Sequence, residues 1–87
     1  MPDFFEYFLR LLLTIFSLRE NEVVGKVDLQ KSFYFAKELG LEIPFKFRWD
    51  KLGPFSYELS HVASLATNNG YLEYEGQYVL KERSFGN

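Results

Sequence analysis

The residues with the clearest capacity for chemistry lie in the segment 56–61 (SYELSH). His61 follows Ser60 and Glu58, so a serine, a histidine and a carboxylate fall close together in sequence. This combination could suit nucleophilic catalysis, but no Gly-x-Ser-x-Gly turn surrounds a serine, and one histidine offers no metal-ligand spacing. Cysteine is also absent, which excludes thiolate chemistry and disulfides within the chain. We therefore expect no enzyme activity, no catalytic residues, no metal and no cofactor.

Polar side chains in the same region could instead contact DNA. If residues 56–67 form a helix, its outward hydroxyl and imidazole groups could hydrogen-bond base edges or phosphates. The preceding segment 26–51 holds six basic against four acidic residues, which makes it the net positive region of the chain. The residues predicted to bind DNA are Lys46, Arg48, Lys51, Ser56, Tyr57, Ser60, His61 and Ser64.

Three observations oppose that prediction. The formal net charge is −2 and the pI is near 5.3, so bulk charge does not attract a polyanion. Glu73 and Glu75 place negative charge on a predicted C-terminal hairpin, where phosphate contacts would need Lys or Arg. Lys46 and Arg48 are equally well explained as the solvent face of an amphipathic strand.

Three helices and three strands are predicted to position these residues in an α+β domain. The 3.6-residue spacing and helix-capping residues predict helices over 3–19, 29–39 and 56–67. Alternating patterns predict strands over 45–49, 71–74 and 77–80, which together would form a small three-stranded antiparallel sheet. The domain is predicted to span 1–83, with a frayed tail at 84–87.

Local signals refine these elements. Asp28 and Ser56 are predicted N-caps of the second and third helices, and Gly40 is predicted to end the second. Segment 50–54 (DKLGP) is predicted to be a turn, and so is Glu75-Gly76. The predicted core positions outside the first helix are Leu29, Phe33, Ala36, Leu39 or Gly40, Phe45, Phe47, Trp49, Phe55, Leu59, Val62, Ala63 and Ala66.

The first predicted helix is apolar nearly all round. Its polar residues Glu6, Arg10, Thr14 and Ser17 fall on one narrow stripe, whereas a surface helix needs a much wider polar face. Charged residues interrupt the apolar run before it could span a membrane, so no membrane partner is expected and a cytoplasmic location fits. Either the domain wraps this helix or a second chain covers it. The predicted homodimer or partner interface is Phe5, Phe8, Leu9, Leu12 and Phe16.

Two family resemblances follow. The order helix, helix, strand, helix, hairpin resembles winged-helix transcriptional regulators, which implies a domain that binds DNA and commonly dimerises. Residues 26–72 also resemble the Panacea-domain family, which has a "KLQKLLYYA … W … GP" pattern. The matching segments are 27–36 (VDLQKSFYFA), 47–49 (FRW) and 53–55 (GPF), with Val27-Asp28 in place of Lys-Leu and Ser32 in place of Leu. That resemblance implies a non-enzymatic antitoxin or adaptor that binds a partner protein such as a toxin. The sequence thus predicts a DNA-binding, dimeric regulator, with a protein-binding module as the alternative.

Overall fold

The computed structural model describes residues 4–81, along which the order is helix, helix, hairpin, helix, hairpin. The helices are α1 (Phe4–Leu18), α2 (Lys26–Glu38) and α3 (Tyr57–Asn68), and the strands are β1 (Arg48–Asp50), β2 (Gly53–Phe55), β3 (Leu72–Tyr74) and β4 (Tyr78–Leu80). The α+β class with three helices is confirmed. The predicted tail at 84–87 lies outside the described residues. Within the described part of the chain, no helix is long and apolar enough to cross a membrane.

The predicted three-stranded sheet is wrong. Instead β1 pairs antiparallel with β2, and β3 with β4, in two separate two-stranded sheets. The segment 50–54 is not simply a turn, because the chain reverses at Lys51-Leu52 and returns along β1 as β2. Gly53 has φ +119°, a conformation that side-chain-bearing residues rarely adopt, so this glycine permits the reversal. The strand that pairs with β1 is therefore β2, which follows it directly in sequence, and not a strand of the C-terminal hairpin.

The predicted aromatic face of the strand 45–49 is only partly in the core. Phe45 is buried, Phe47 is half-buried, and Trp49 is 70% exposed. Strand β1 begins at Arg48, so Phe45 belongs to the irregular segment before the strand, and its burial does not follow from strand alternation. The expectation that Trp49 lies in the core is wrong, because its ring meets Tyr34 of α2 but is otherwise largely open to solvent.

The core is an aromatic cluster between α1, α2 and the segment before β1. Phe8 stacks on Phe33 with ring centroids 5.8 Å apart, and Phe45 meets both rings at 6.0 Å. Aromatic pairs at such separations add stabilisation beyond their area burial. Five apolar side chains of α1 are therefore buried within this chain.

That packing corrects the predicted interface on α1. Phe8, Leu12 and Phe16 are fully buried, so a partner could reach them only by opening the core. Phe5 and Leu9 are half-buried and pack against the same core. The domain itself buries this side of the helix, whereas Phe4, Leu13 and Leu18 stay exposed.

The start of α2 also differs from the prediction. The helix begins at Lys26 with Gly25 as its N-cap, and Asp28 lies inside the first turn. Asp28 instead accepts hydrogen bonds from both terminal nitrogens of Arg19, at 2.7 and 2.9 Å, and from the backbone N–H of Val24 at 2.9 Å. Those bonds lower the pKa of Asp28, the one from Arg19 being the largest cause. Asp28 thus ties the end of α1 to the start of α2.

The opposite end of α2 and the start of α3 follow the prediction more closely. Gly40 has φ +108° directly after the C-cap residue Leu39, as expected of a helix-ending glycine. Leu39 is 85% exposed and Gly40 is also exposed, so the predicted core position at Leu39 or Gly40 is wrong. Ser56 is the N-cap of α3, and its side chain accepts a hydrogen bond from the Leu59 N–H at 3.1 Å. The predicted buried stripe of α3 is confirmed except at Phe55, which is half-buried.

Candidate functional site: a groove between the two hairpins

A groove of about 820 Å³ separates the β1–β2 hairpin from the β3–β4 hairpin. We call it the hairpin groove. The first half of α2 and one face of α3 form its walls. Its lining residues are Lys26, Val27, Leu29 and Gln30 of α2, Asp50 to Phe55 of the first hairpin, Ser60, Ala63, Ser64, Thr67 and Asn68 of α3, and Tyr74 and Tyr78 of the second hairpin.

The periodicity of α3 explains which of its residues face the groove. Ser60, Ser64 and Thr67 recur at spacings of four and three, so they share one face of the helix. Ala63 lies between them and leaves space, because its side chain is small. The Thr67 hydroxyl donates to the Ala63 carbonyl at 2.9 Å, whereas Ser60 and Ser64 are exposed. This wall offers hydroxyl groups over a shallow apolar floor.

Apolar and basic side chains dominate the opposite wall. Leu52, at the tip of the first hairpin, is 71% exposed, and Pro54 below it is buried. Lys26 and Lys51 contribute two positive charges and Asp50 one negative charge, a net charge of +1 for the lining. The surface therefore suits an apolar ligand that carries negative charge.

A buried amide fixes the two walls relative to one another. Gln30 Nε2 donates to the Ser56 carbonyl at 3.1 Å, and the Ser56 N–H donates to Gln30 Oε1 at 2.8 Å. Gln30 thus makes the two hydrogen bonds that a neighbouring strand would make to Ser56. Both residues are buried, so water cannot take the place of the Gln30 amide as a hydrogen-bond partner of the Ser56 backbone. The Gln30–Ser56 clamp joins α2 to the junction of β2 and α3.

Two tyrosines form the far end of the groove. The rings of Tyr74 and Tyr78 are 5.0 Å apart and inclined by 60°. Burial raises the pKa of Tyr78, with a smaller contribution from Tyr74, so its hydroxyl stays protonated at neutral pH. A protonated phenol can donate a hydrogen bond to a ligand.

The structure separates the residues predicted to bind DNA. Lys51, Ser60 and Ser64 line the hairpin groove. Lys46, Arg48 and Tyr57 surround a second, shallower depression of about 340 Å³ on another side of the first hairpin, together with Phe47, Phe55 and Glu58. There the Arg48 guanidinium lies 5.6 Å from the centre of the Tyr57 ring, and Glu58 accepts a hydrogen bond from the Lys46 N–H.

The remaining two predicted residues belong to neither surface. Ser56 is 1% exposed and is occupied as a helix cap, so its predicted contact with DNA is wrong. His61 is exposed on α3 but lines neither depression. In the described part of the chain, no group of three or more His, Cys, Asp or Glu residues could hold a metal ion.

Lys26, Leu52, Tyr74 and Tyr78 are among the groove residues that were missed at the sequence level. Leu52 could have been recognised, because an apolar residue between Lys51 and Gly53 is unusual in an exposed turn. No local sequence signal marked the other three residues, because α2 and the second hairpin are brought together only by folding.

Comparison of the chain with protein-family models, curated proteins and solved structures finds no match. The winged-helix and Panacea resemblances therefore stay predictions.

Proposed function

We propose that this chain is a cytoplasmic, non-enzymatic protein-binding module that takes up a segment of a partner protein in the hairpin groove. The observation that carries the proposal is the mostly apolar lining between two hairpins, with the exposed Leu52 at its rim. Recognition grooves for peptides combine apolar contacts with a few polar groups that set orientation. Lys26 and Lys51 supply charge for an acidic residue, and the hydroxyls of α3 supply hydrogen-bonding groups. This is the adaptor or antitoxin alternative that the sequence left open.

A selection from a random peptide library tests the proposal. We expect the wild-type chain to enrich peptides that combine apolar and acidic residues. Ser64→Trp should reduce binding of the selected peptides at least about tenfold, since it fills the groove from an exposed position and one buried contact region carries most binding energy. His61→Trp is the matched control, because it adds the same side chain to α3 outside the groove. Equal binding by both variants, or no enrichment by the wild type, would contradict the proposal.

DNA binding is the second candidate, within a winged-helix-like arrangement. It is favoured by one observation: Lys51, Ser60 and Ser64 share a groove with Lys26, beside a helix that leads into a hairpin. Titration of a mixed-sequence DNA duplex at about 50 and 200 mM salt tests it, because phosphate contacts make affinity fall steeply with salt. If DNA binds, Lys51→Ala should weaken binding uniformly across sequences and lower the salt dependence. Absence of binding at low salt would eliminate this candidate.

A further inference from the structure

Strand β1 carries an open backbone edge. Among residues 4–81 it pairs with β2 and with no other strand, and Arg48, Trp49 and Asp50 are all exposed. The register places Trp49 opposite Pro54. Because proline has no N–H, these two residues must be a non-hydrogen-bonded pair of the antiparallel ladder. The N–H and C=O of Trp49 therefore point away from β2, toward the open edge.

The side chains of β1 are complementary to those of a second β1. If two copies align antiparallel with their Trp49 residues opposite each other, those residues can exchange two backbone hydrogen bonds. Arg48 of each copy then lies opposite Asp50 of the other. Cross-strand pairs of opposite charge stabilise antiparallel pairing, and the alignment contains two of them.

Trp49 supplies apolar area to the same alignment. Its side chain is 70% exposed, and its ring centroid lies 5.6 Å from that of Tyr34. A two-fold axis through the paired edges brings the two Trp49 side chains to one face of the joined sheet. An exposed aromatic residue on an open edge strand otherwise invites uncontrolled pairing.

We propose that two copies of this chain form a symmetric dimer by antiparallel pairing of their β1 edges. The result is a four-stranded sheet in the order β2, β1, β1, β2. The dimer uses β1 in place of the predicted α1 surface, of which Phe8, Leu12 and Phe16 are buried. It does not depend on what the hairpin groove binds.

Charge reversal and charge exchange test this dimer. Sedimentation equilibrium from about 5 to 500 µM covers the weak association that a small interface gives. We expect Arg48→Asp and Asp50→Arg each to weaken dimerisation about ten- to thirty-fold, since each variant replaces two attractive pairs with two repulsive ones. The double variant R48D/D50R restores both attractive pairs and should dimerise like the wild type. The double variant also lacks the contact of Arg48 with Tyr57. If its dimerisation is restored, the weakening in the single variants comes from the charge pairs between copies and not from loss of that contact.

The emission of Trp49 gives an independent readout, because it is the chain's one tryptophan. We expect a shift to shorter wavelength as the wild-type concentration rises, and no shift in the single variants over the same range. Three results would overturn the dimer: a monomeric wild type at the highest concentration, undiminished dimers in both single variants, or a double variant that stays monomeric. Circular dichroism of every variant verifies that the fold is retained.

Discussion

The two hairpins each have three residues per strand but are attached to the domain differently. In β3–β4, Leu72 and Tyr78 are buried, and the Tyr78 N–H donates to the Val23 carbonyl at 2.9 Å. In β1–β2, Pro54 is buried, but Trp49 and Leu52 are exposed. The second hairpin is thus part of the core, whereas the first is held at its base and leaves its tip and outer edge open.

This difference shows how a small domain can support two equally short hairpins in different ways. Short hairpins are marginal alone, so each needs support from the rest of the domain. The buried side chains of β3–β4 provide that support directly. The β1–β2 hairpin receives it at Pro54 and through the adjoining Gln30–Ser56 clamp, so Trp49 and Leu52 can stay exposed.

The largest expected effect comes from truncating one leucine in each hairpin. Leu72→Ala should lower the free energy of unfolding by about 2–4 kcal/mol, because it removes buried methyl groups and leaves a cavity. Leu52→Ala should change it by less than about 0.5 kcal/mol, since that side chain is exposed. Urea denaturation of the two variants measures both values. Similar losses of unfolding free energy in the two variants would contradict the conclusion that only the second hairpin is part of the core.

A smaller effect is expected at the base of the first hairpin. Gln30→Ala should lower the free energy of unfolding by about 1–3 kcal/mol, because it leaves the buried Ser56 N–H without a partner, whereas the Ser56 C=O keeps its bond from the Ser60 N–H. Glu38→Ala, at an exposed position of α2 outside the groove lining, is the control and should be nearly neutral. Urea denaturation gives the comparison, and amide exchange at Ser56 should become faster in the Gln30 variant. Unchanged exchange would show that the clamp does not hold the hairpin.

The smallest effect concerns the link that Asp28 makes between the end of α1 and the start of α2. Because the pKa of Asp28 is lowered in the folded state, its stabilising contribution is present above its unfolded pKa and is lost as the pH falls through the folded pKa. Asp28→Asn should cost about 1–2 kcal/mol at pH 7 and flatten the acid limb of the stability curve. Urea denaturation from about pH 2 to 7 tests this, with wild type as reference. An equally steep acid limb in the variant would contradict the assignment.

Much of the helical and hairpin architecture follows from local sequence signals. Ser56 and Gly40 mark helix ends that the structure confirms, and the strands predicted at 71–74 and 77–80 match β3 and β4 within one residue. The candidate groove was harder to predict from the sequence. Three of its residues, Lys51, Ser60 and Ser64, were singled out for their polar chemistry, but nothing local indicated that Tyr74 and Tyr78 would lie across from them.

The sequence by itself determined the three helices, the helix-end residues Gly40 and Ser56 and the C-terminal hairpin, because these depend on residue spacing and on conformational preferences of neighbouring residues. Only the tertiary structure decided that α1 buries Phe8, Leu12 and Phe16 within one chain. It also decided that β1 pairs with β2 and leaves Trp49 exposed. The physical reason is that an apolar pattern specifies a face to be buried, whereas the residues that cover it are chosen by long-range packing.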